Sequence, residues 1–332
     1  MKHQDRVYGE FEITEPVILE LMSSQVLQRL KGIDQSGYNP FWISKSEADR
    51  LKHNRFSHSV GVCLLLRKYG APLEEQIAGL VHDVSHTAFS HCTEYVLNIG
   101  NEEKQTYQDD IFEQFVRDSE IPDILKKYDF DLDYILNDEN FPLKEKNLPD
   151  LCADRIDYVL RDAMVFDGLG QAGATYFLDN LVAENNIWFF KTFESAKKYA
   201  ELFRKMNDFF YAGLPSATMF YAVSDFLKYA LEKKYLSEED LKREDDFVID
   251  KTKEHFDEDE KLRLLFDRMN NKVAIRNNPQ DYEFESVCKS RVVDPLFMKG
   301  GKLLKLSDAF PEWRKVIEEE MRPKKYFLKF ET

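Results

Sequence analysis

The hydrophobic pattern of this chain is mainly that of helices. Apolar residues occur in helix-like runs over the segments 16–33, 58–70, 73–83, 106–118, 151–166, 194–212 and 216–234. Alternation typical of a strand or hairpin is confined to residues 5–14, with short strand-like runs at 185–190, VVDPLF and FLKF. The pattern predicts a mainly α protein with a short N-terminal β-hairpin and a small mixed α/β C-terminal region.

Length and charge pattern suggest two parts. The chain has 332 residues, whereas a single domain usually has about 150. Residues 1–235 hold the regular helical runs, and residues 237–271 are dense in charge at helical spacing. We expect a core over 1–235 and a helical or mixed extension over 236–332. The extension would form subunit contacts in a homo-oligomer or simply present a solvated helix face.

The overall composition is acidic. Lys and Arg total 46 against 61 Asp and Glu, a net charge of −15. General nucleic-acid binding is not expected, because it depends on basic residues that neutralise phosphates, but a local basic pocket for a small anion remains open. The four cysteines form no CxxC pair, the first residues are polar, and no run of about 18 apolar residues occurs. These features predict a cytoplasmic protein without a signal peptide or membrane span.

The histidines indicate where the chemistry lies. Five of the 7 histidines fall within residues 53–91. His82 and Asp83 end an apolar helical stretch, and such a pair needs a partner because an isolated buried charge is costly. A metal ion is one way to provide that partner. With His58 before the pair and Asp154 after it, imidazole and carboxylate groups form a normal shell for a first-row divalent metal, leaving positions for water or substrate.

Three segments carry a resemblance to a known family. They read HNRFSHSVGV, IAGLVHDVSHTAFSH and ADRIDYVLRD, beginning at residues 53, 77 and 153. Together they resemble the HD-domain metal-dependent phosphohydrolases over about residues 5–235, and they look most like the branch that hydrolyses deoxynucleoside triphosphates. The resemblance implies a helical-bundle core with one divalent metal ion of the Mn, Fe, Mg, Co, Ni or Zn class. Its implied ligands are His58, His82, Asp83 and Asp154.

The same resemblance implies roles for eight further residues. Those implied to be catalytic are His86, His91 and Glu94, and those implied to bind substrate are Gln35, Arg55, Arg155, Tyr158 and Asp162. Elementary chemistry agrees, because guanidinium groups stabilise phosphoryl charge and a histidine near neutral pH can move a proton or hold a water. His86 would share a face with His82 if the helix continues, and its alternative role is to support the metal ligands. The alternatives for Tyr158 and Asp162 are a core ring and a surface salt bridge.

Two departures from the family keep several functions open. Tyr107–Gln108 stand where the family has a His-Glu pair, and Ala212–Gly213 stand near its His-Lys pair. Our leading hypothesis is metal-dependent hydrolysis of a deoxynucleoside triphosphate to deoxynucleoside and triphosphate, with a metal-activated water assisted by histidine. The alternatives are a nucleoside monophosphate phosphatase and a nucleotide-binding regulatory protein with weak or no turnover. Oxygenase chemistry at a di-iron site is a further option, which the sugar-binding matches disfavour.

Overall fold

The computed structural model describes residues 2–44, 46–47, 51–97 and 107–331. Helices are the main element of these ranges taken together, which confirms the predicted mainly α class. At the N-terminus, strands β1 (Lys2–Asp5) and β2 (Gly9–Glu12) pair in an antiparallel hairpin, as predicted. Among the described residues, none of the helices is both long enough and apolar enough to cross a membrane.

The described residues contain α-helices along most of their length. In chain order they are α1 Pro16–Ser23, α2 Gln25–Arg29, α3 Arg55–Lys68, α4 Leu73–Val81, α5 Glu94–Leu97, α6 Tyr107–Arg117, α7 Ile121–Lys127, α8 Leu132–Leu136, α9 Ala153–Phe166, α10 Gln171–Asn180, α11 Phe193–Met206, α12 Leu214–Glu232, α13 Asp245–Lys253, α14 Glu260–Met269, α15 Leu306–Ala309 and α16 Glu312–Glu320. The charge-dense segment 237–271 is helical, as its spacing predicts.

Local chemistry explains where helix boundaries differ from the prediction. The helix predicted over 16–33 breaks at Ser24, whose hydroxyl accepts a hydrogen bond from the Leu27 backbone and begins a new helix. Helix α3 begins at Arg55, earlier than predicted, because the Asn54 side chain caps it. The helix predicted over 194–212 ends at Met206 and passes into a π-helix, Asn207–Tyr211.

Helices α3, α4 and α9 form the centre of the fold. Helix α3 packs against both of the others, and most of its residues are buried. Gly79 on α4 permits close approach, since a Cβ there would lie 2.6 Å from Leu66 Cδ1. One hydrophobic cluster joins α3, α9 and α11, and another joins α1, α3 and α4. This packing brings together the start of α3, the end of α4 and the start of α9.

Two further sheets lie in the described chain, and one of them joins strands of the C-terminal third to strands β3 and β4. The remaining strands are β3 Leu181–Glu184, β4 Ile187–Phe190, β5 Ile275–Asn277, β6 Phe284–Cys288, β7 Leu296–Lys299, β8 Lys302–Lys305 and β9 Lys324–Phe330. One sheet has the order β3–β4–β7–β8, with β4 and β7 parallel, and the other has the order β5–β9–β6. The strand predicted for VVDPLF begins only at Leu296, since Pro295 cannot donate to a ladder. The division at residue 235 stays a prediction, and both a sheet and hydrophobic clusters cross it.

Candidate active site

Four side chains from three distant segments converge at the centre of the fold. His58 lies on α3, His82 and Asp83 follow α4, and Asp154 lies in the first turn of α9. Asp154 Oδ1 is 2.9 Å from His58 Nε2 and 3.5 Å from His82 Nε2. The Asp83 oxygens lie 3.4 Å from His82 Nε2 and 3.7 Å from His58 Nε2. We call these four residues the His–Asp cluster.

The His–Asp cluster has the donor chemistry of a divalent metal site. His58, His82 and Asp154 each offer one ligand atom, and these atoms all lie within 4.8 Å of one another. His82 Nδ1 donates a hydrogen bond to the Gly79 carbonyl at 2.8 Å, which leaves the ring lone pair on Nε2. That nitrogen is buried and has no hydrogen-bond partner among the described residues. A buried, unpartnered imidazole nitrogen beside two carboxylates fits a divalent ion.

Opposing effects set the protonation of the cluster. Burial lowers the pKa of His58, but its hydrogen bonds to Asp154 and Asp157 outweigh burial and raise that pKa to about 10. Burial raises the pKa of Asp83, but the neighbouring His82 and an arginine hold it well below its ordinary value. The carboxylates are therefore ionised at neutral pH, as metal ligands must be. Ion binding at His58 Nε2 would release a proton.

A buried ion-pair chain holds His58 from behind. His58 Nδ1 donates to Asp157 at 2.7 Å, and Arg161 donates to both oxygens of that carboxylate at 2.9 Å. The Tyr8 hydroxyl also donates to Asp157, and Arg161 continues to Asp5 in the N-terminal hairpin at 3.0 Å. None of these supporting residues was predicted. The available signal was the position of Asp157 three residues after Asp154, on a neighbouring part of the same helix face.

His86 and His91 face each other beside the cluster. Their ring centroids are 5.1 Å apart and the rings are perpendicular. His86 Nε2 lies 3.3 Å from Asp83, and His91 Nδ1 lies 2.5 Å from the Glu94 carboxylate, with which it forms a hydrogen bond. Burial and the charge of Arg55 lower the pKa of His86 to about 3, so His86 is a neutral imidazole at neutral pH. The three residues predicted to be catalytic therefore lie together.

The segment between α4 and α5 that carries these histidines is held by other parts of the chain. Helix α4 ends at Val81, so the condition under which His82 and His86 would share a helix face is not met. The Arg29 guanidinium holds the segment instead, since it donates to the carbonyls of Val84 at 2.6 Å and His86 at 2.8 Å. Because both acceptors are backbone atoms, Arg29 fixes the path of the chain around the site.

Residues of the C-terminal region hold the segment between α4 and α5 at a second point, near Phe89. Phe89 has a φ of 59°, a left-handed conformation that is unusual for a non-glycine residue. Its backbone N–H donates to Asp245 at 2.7 Å, and the Ala88 N–H donates to the Leu241 carbonyl at 2.8 Å. These bonds satisfy the backbone of the turn before His91 and stabilise its uncommon conformation.

Both predicted phosphate-binding arginines lie beside the cluster, and each is oriented by a carboxylate. Arg55 is buried and donates to Asp83 at 2.8 Å and to the Ser90 hydroxyl at 2.9 Å. Arg155 donates to Glu145 at 3.1 Å. The two guanidinium groups are thus fixed in position rather than left to rotate in solvent.

The predicted sugar-binding residues contribute buried polar atoms. Gln35 Oε1 and the Tyr158 hydroxyl are both buried without a hydrogen-bond partner among the described residues. The Asp162 carboxylate accepts a hydrogen bond from the Tyr211 hydroxyl at 2.8 Å and lies 3.0 Å from His53 Nε2. Asp162 is only 3% exposed, which excludes the surface salt bridge considered for it. The contacts of Tyr211 and His53 with Asp162 were not predicted. Tyr211 lies in the π-helix, and the hydrophobic periodicity did not indicate that element.

One cleft of about 1110 Å³ connects these groups. Every predicted site residue lines it except His58 and Glu94. Lys289 and Arg291, which the sequence gave no reason to single out, line it as well. A separate cavity of about 850 Å³ between Phe209 and Trp313 contains none of the predicted residues. The size of the first cleft suits a ligand as large as a nucleotide.

The structure shows the contacts made at the two positions where the sequence departs from the family pattern. Gln108 lines the cleft, and its carbonyl accepts a hydrogen bond from the Ser85 hydroxyl at 2.9 Å. Glu94 pairs with His91 and not with a residue of α6. Ala212 is fully buried and contributes no cation, while its carbonyl accepts from the Tyr326 hydroxyl at 2.7 Å.

Comparison with known proteins identifies the family to which the segment with the His–Asp cluster is similar. Residues 55–162, which contain the whole His–Asp cluster, match the HD domain family. The uncharacterized protein YdhJ of Bacillus subtilis is 34% identical over 319 residues, covering 96% of this chain and 95% of its own. The metal-dependent phosphohydrolase cns2 of Cordyceps militaris is 38% identical over 54% of this chain and 50% of its own. The deoxynucleoside triphosphate triphosphohydrolase SAMHD1 of Bos taurus is 28% identical over 37% of this chain and 23% of its own.

A solved structure extends the likeness to the complete fold. A phosphohydrolase from Bacteroides thetaiotaomicron matches 100% of both chains with a TM-score of 0.73 at 18% identity, which shows a shared fold. Fold and site together define a phosphohydrolase that works with a divalent metal ion. The chain belongs to the HD-domain superfamily of metal-dependent phosphohydrolases.

Proposed function

We propose that this hydrolase acts on a deoxynucleoside triphosphate and releases a deoxynucleoside and triphosphate. One juxtaposition carries the proposal: the cleft beside the His–Asp cluster also receives two buried, unpartnered polar atoms, Gln35 Oε1 and the Tyr158 hydroxyl. A buried polar atom without a partner costs free energy, so a ligand with hydroxyl groups would be stabilised there. A nucleotide brings a sugar and a phosphate in one molecule.

The His–Asp cluster would hold the metal ion through His58, His82, Asp83 and Asp154. A bound divalent ion polarises a phosphoryl oxygen and lowers the pKa of a bound water. His86 and His91 lie close enough together to hold a water between them and the substrate phosphate. His86, as a neutral imidazole, would orient that water, and His91, which is paired with the Glu94 carboxylate, would receive its proton. The hydrogen bond from His91 to Glu94 would keep that ring in orientation.

The cations and the polar wall of the cleft would position the substrate. Phosphoryl transfer depends mainly on positioning and charge stabilisation, and Arg55 and Arg155 are already oriented by carboxylates. On the sugar, Gln35 and Asp162 would accept hydrogen bonds from hydroxyl groups. The Tyr158 ring, which packs edge-on against Tyr211 at 5.3 Å, would contact the sugar face.

The names of the known relatives differ in how much they say about a substrate. SAMHD1 is named for deoxynucleoside triphosphates, but the match to it spans 37% of this chain. The name of the fungal relative specifies only a metal-dependent phosphohydrolase. A nucleoside monophosphate phosphatase is the second candidate, because buried Ala212 stands where the family places a cation for distal phosphates.

Product identification tests the proposal. The protein is incubated with nucleoside mono-, di- and triphosphates in Mn²⁺ or Mg²⁺, and products are identified by chromatography and mass spectrometry. Deoxynucleoside with inorganic triphosphate is the expected result. Orthophosphate released only from monophosphates would establish a nucleotidase instead, and tight binding without products would establish a regulatory protein. Light scattering in the same buffers tests the expected homo-oligomer.

A double variant tests the His–Asp cluster directly. We expect His82→Ala/Asp83→Ala to lose bound metal and hydrolysis together, because both residues supply ligand atoms near Asp154. The surface variant Asp150→Asn serves as the control and retains both. Full hydrolysis by the double variant would remove metal-dependent chemistry at this cluster.

A further inference from the structure

Two cationic side chains from the C-terminal region reach the active-site cleft. Lys289 and Arg291 follow strand β6 and line the cleft together with His82, Asp154 and Arg155. Both are half-buried. They lie outside the matched family region at 55–162, so the HD motifs do not account for them.

A buried hydrogen-bond network fixes the backbone that carries these two cations. Asn207 is fully buried; its Oδ1 accepts from the Arg291 backbone N–H at 2.8 Å, and its Nδ2 donates to the Ser290 hydroxyl at 2.9 Å. Glu320, also buried, accepts from Asn207 at 3.1 Å and from Ser290 at 3.2 Å. The Arg291 guanidinium donates back to the Lys289 carbonyl at 3.1 Å. Because a buried polar network is costly to break, the segment holds its cations in a defined position.

Positive charge is concentrated where this segment meets the cleft. Burial and the nearby charge of Arg291 lower the pKa of Lys289, and Arg155 contributes in the same direction. Glu94 and Asp109 are the carboxylates that oppose this effect. Burial and the charge of Glu94 raise the pKa of Asp109 to about 6. An anion between the three cations would relieve their mutual repulsion.

We propose that Lys289 and Arg291 bind the outer phosphates of a polyphosphate substrate whose reacting phosphate lies at the His–Asp cluster. The inference rests on the proposed function and deepens it, because it names the groups that replace the cation missing at Ala212. An arginine forks around phosphate oxygens and a lysine adds a point charge, so the pair suits a chain of phosphates. The C-terminal region thereby takes part in substrate selection.

Binding of inorganic tripolyphosphate tests this site separately from turnover. Calorimetry on the metal-loaded protein compares tripolyphosphate with orthophosphate, for the natural chain and for Lys289→Gln/Arg291→Gln. We expect the double variant to bind tripolyphosphate at least about 10-fold more weakly, with little change for orthophosphate. Lys302→Gln, which removes a charge outside the cleft lining, is the matched control and should bind as the natural chain does. The charge-preserving Lys289→Arg/Arg291→Lys should retain most of the affinity.

The outcomes separate this inference from the proposed function. Equal tripolyphosphate affinity in the natural chain and the Gln/Gln variant would overturn the inference, whatever nucleotides are hydrolysed. Equal losses for tripolyphosphate and orthophosphate would also overturn it, because they would indicate a general effect on the cleft. A selective loss of tripolyphosphate affinity would support it even if deoxynucleoside triphosphates proved not to be substrates. In active protein, the same variant should raise KM for triphosphates more than for monophosphates.

Discussion

His58 Nδ1 donates a hydrogen bond to Asp157 at 2.7 Å across the contact between α3 and α9. The bond directs the other ring nitrogen, Nε2, toward Asp154. Asp157 is itself fully buried and paired with Arg161. The orientation of a predicted metal ligand therefore depends on a carboxylate behind the ring, a common arrangement at histidine-bound metals.

Replacing that carboxylate should weaken metal binding. We expect Asp157→Asn to reduce metal affinity by about 10- to 100-fold, because the amide orients the imidazole less firmly and does not increase its basicity. The variant should also lose roughly 1–3 kcal/mol of stability, since the buried Arg161 charge would keep Asp5 as a carboxylate partner but lose Asp157. Metal titration by calorimetry on folded protein measures the first effect and urea unfolding the second. Unchanged metal affinity would contradict the role given to Asp157, and exposed Asp150→Asn is the control.

Gly61 leaves the room that this ion pair occupies. A Cβ at this position would lie 2.1 Å from Arg161 Nη2 and 2.1 Å from Asp157 Oδ1. We expect Gly61→Ala to force the pair apart and to destabilise the protein by roughly 2–5 kcal/mol, despite the better helix propensity of alanine. Gly170→Ala is the matched control, because nothing lies within 4 Å of its Cβ position. Urea unfolding of both variants measures the two losses of stability. Equal stabilities of the two variants would show that the Asp157–Arg161 ion pair can shift at little cost in free energy.

The raised pKa of His58 predicts how stability depends on pH in metal-free protein. In the folded chain this pKa is about 10 against an ordinary value of 6.5. The folded state holds the proton more tightly than the unfolded state, so the stabilisation is complete below pH 6.5 and is lost as the pH rises toward 10. We expect the free energy of unfolding in EDTA to fall over this window, while metal affinity rises as the proton leaves. His255→Gln should keep this slope and His58→Gln should reduce it to the part that the raised pKa of His82 contributes, and a flat profile in the natural chain would refute the assignment.

Arg29 should influence catalysis without touching the substrate. Its guanidinium donates to the carbonyls of Val84 and His86 and, through Nη1, to that of Lys242 at 2.9 Å. Lysine keeps the charge but cannot reach three separate acceptors in the same geometry. We expect Arg29→Lys to lower kcat by about 10- to 100-fold with little change in metal content, because small displacements of a reacting group are costly. Steady-state kinetics with metal analysis provides the test. A change in KM alone would count against a positioning role, and exposed Arg263→Lys is the control.

Local patterns allowed much of the fold and of the site to be predicted. His58, His82, Asp83 and Asp154 belong to short motifs within helices or at their ends, where the neighbouring residues dictate the conformation. The hairpin and the main helices likewise follow from periodicity. The predicted helix boundaries were less accurate where a single side chain determines the end of a helix, as where the Ser24 hydroxyl caps a new helix.

The remaining features depend on contacts between distant parts of the chain. Tyr211 reaches Asp162 only because α11 passes into a π-helix, which has no recognisable repeat. Lys289 and Arg291 enter the cleft because buried Asn207 fixes the segment after β6. In the sequence, Arg29 is an ordinary cation at the end of a helix. Its hydrogen bond to the His86 carbonyl becomes evident only in the folded structure. The spacing of residues in the sequence does not predict such long-range contacts, because tertiary packing determines them.

The hydrogen bonds from Ala88 to Leu241 and from Phe89 to Asp245 have a practical consequence for anyone shortening this protein. A fragment ending near residue 235 would keep every candidate metal ligand and the two candidate catalytic histidines, yet the turn before His91 would lose two of its hydrogen-bond acceptors. Such a fragment could still load metal while turning over poorly. Trimming to the recognisable family region would discard the backbone contacts that position the candidate catalytic side chains.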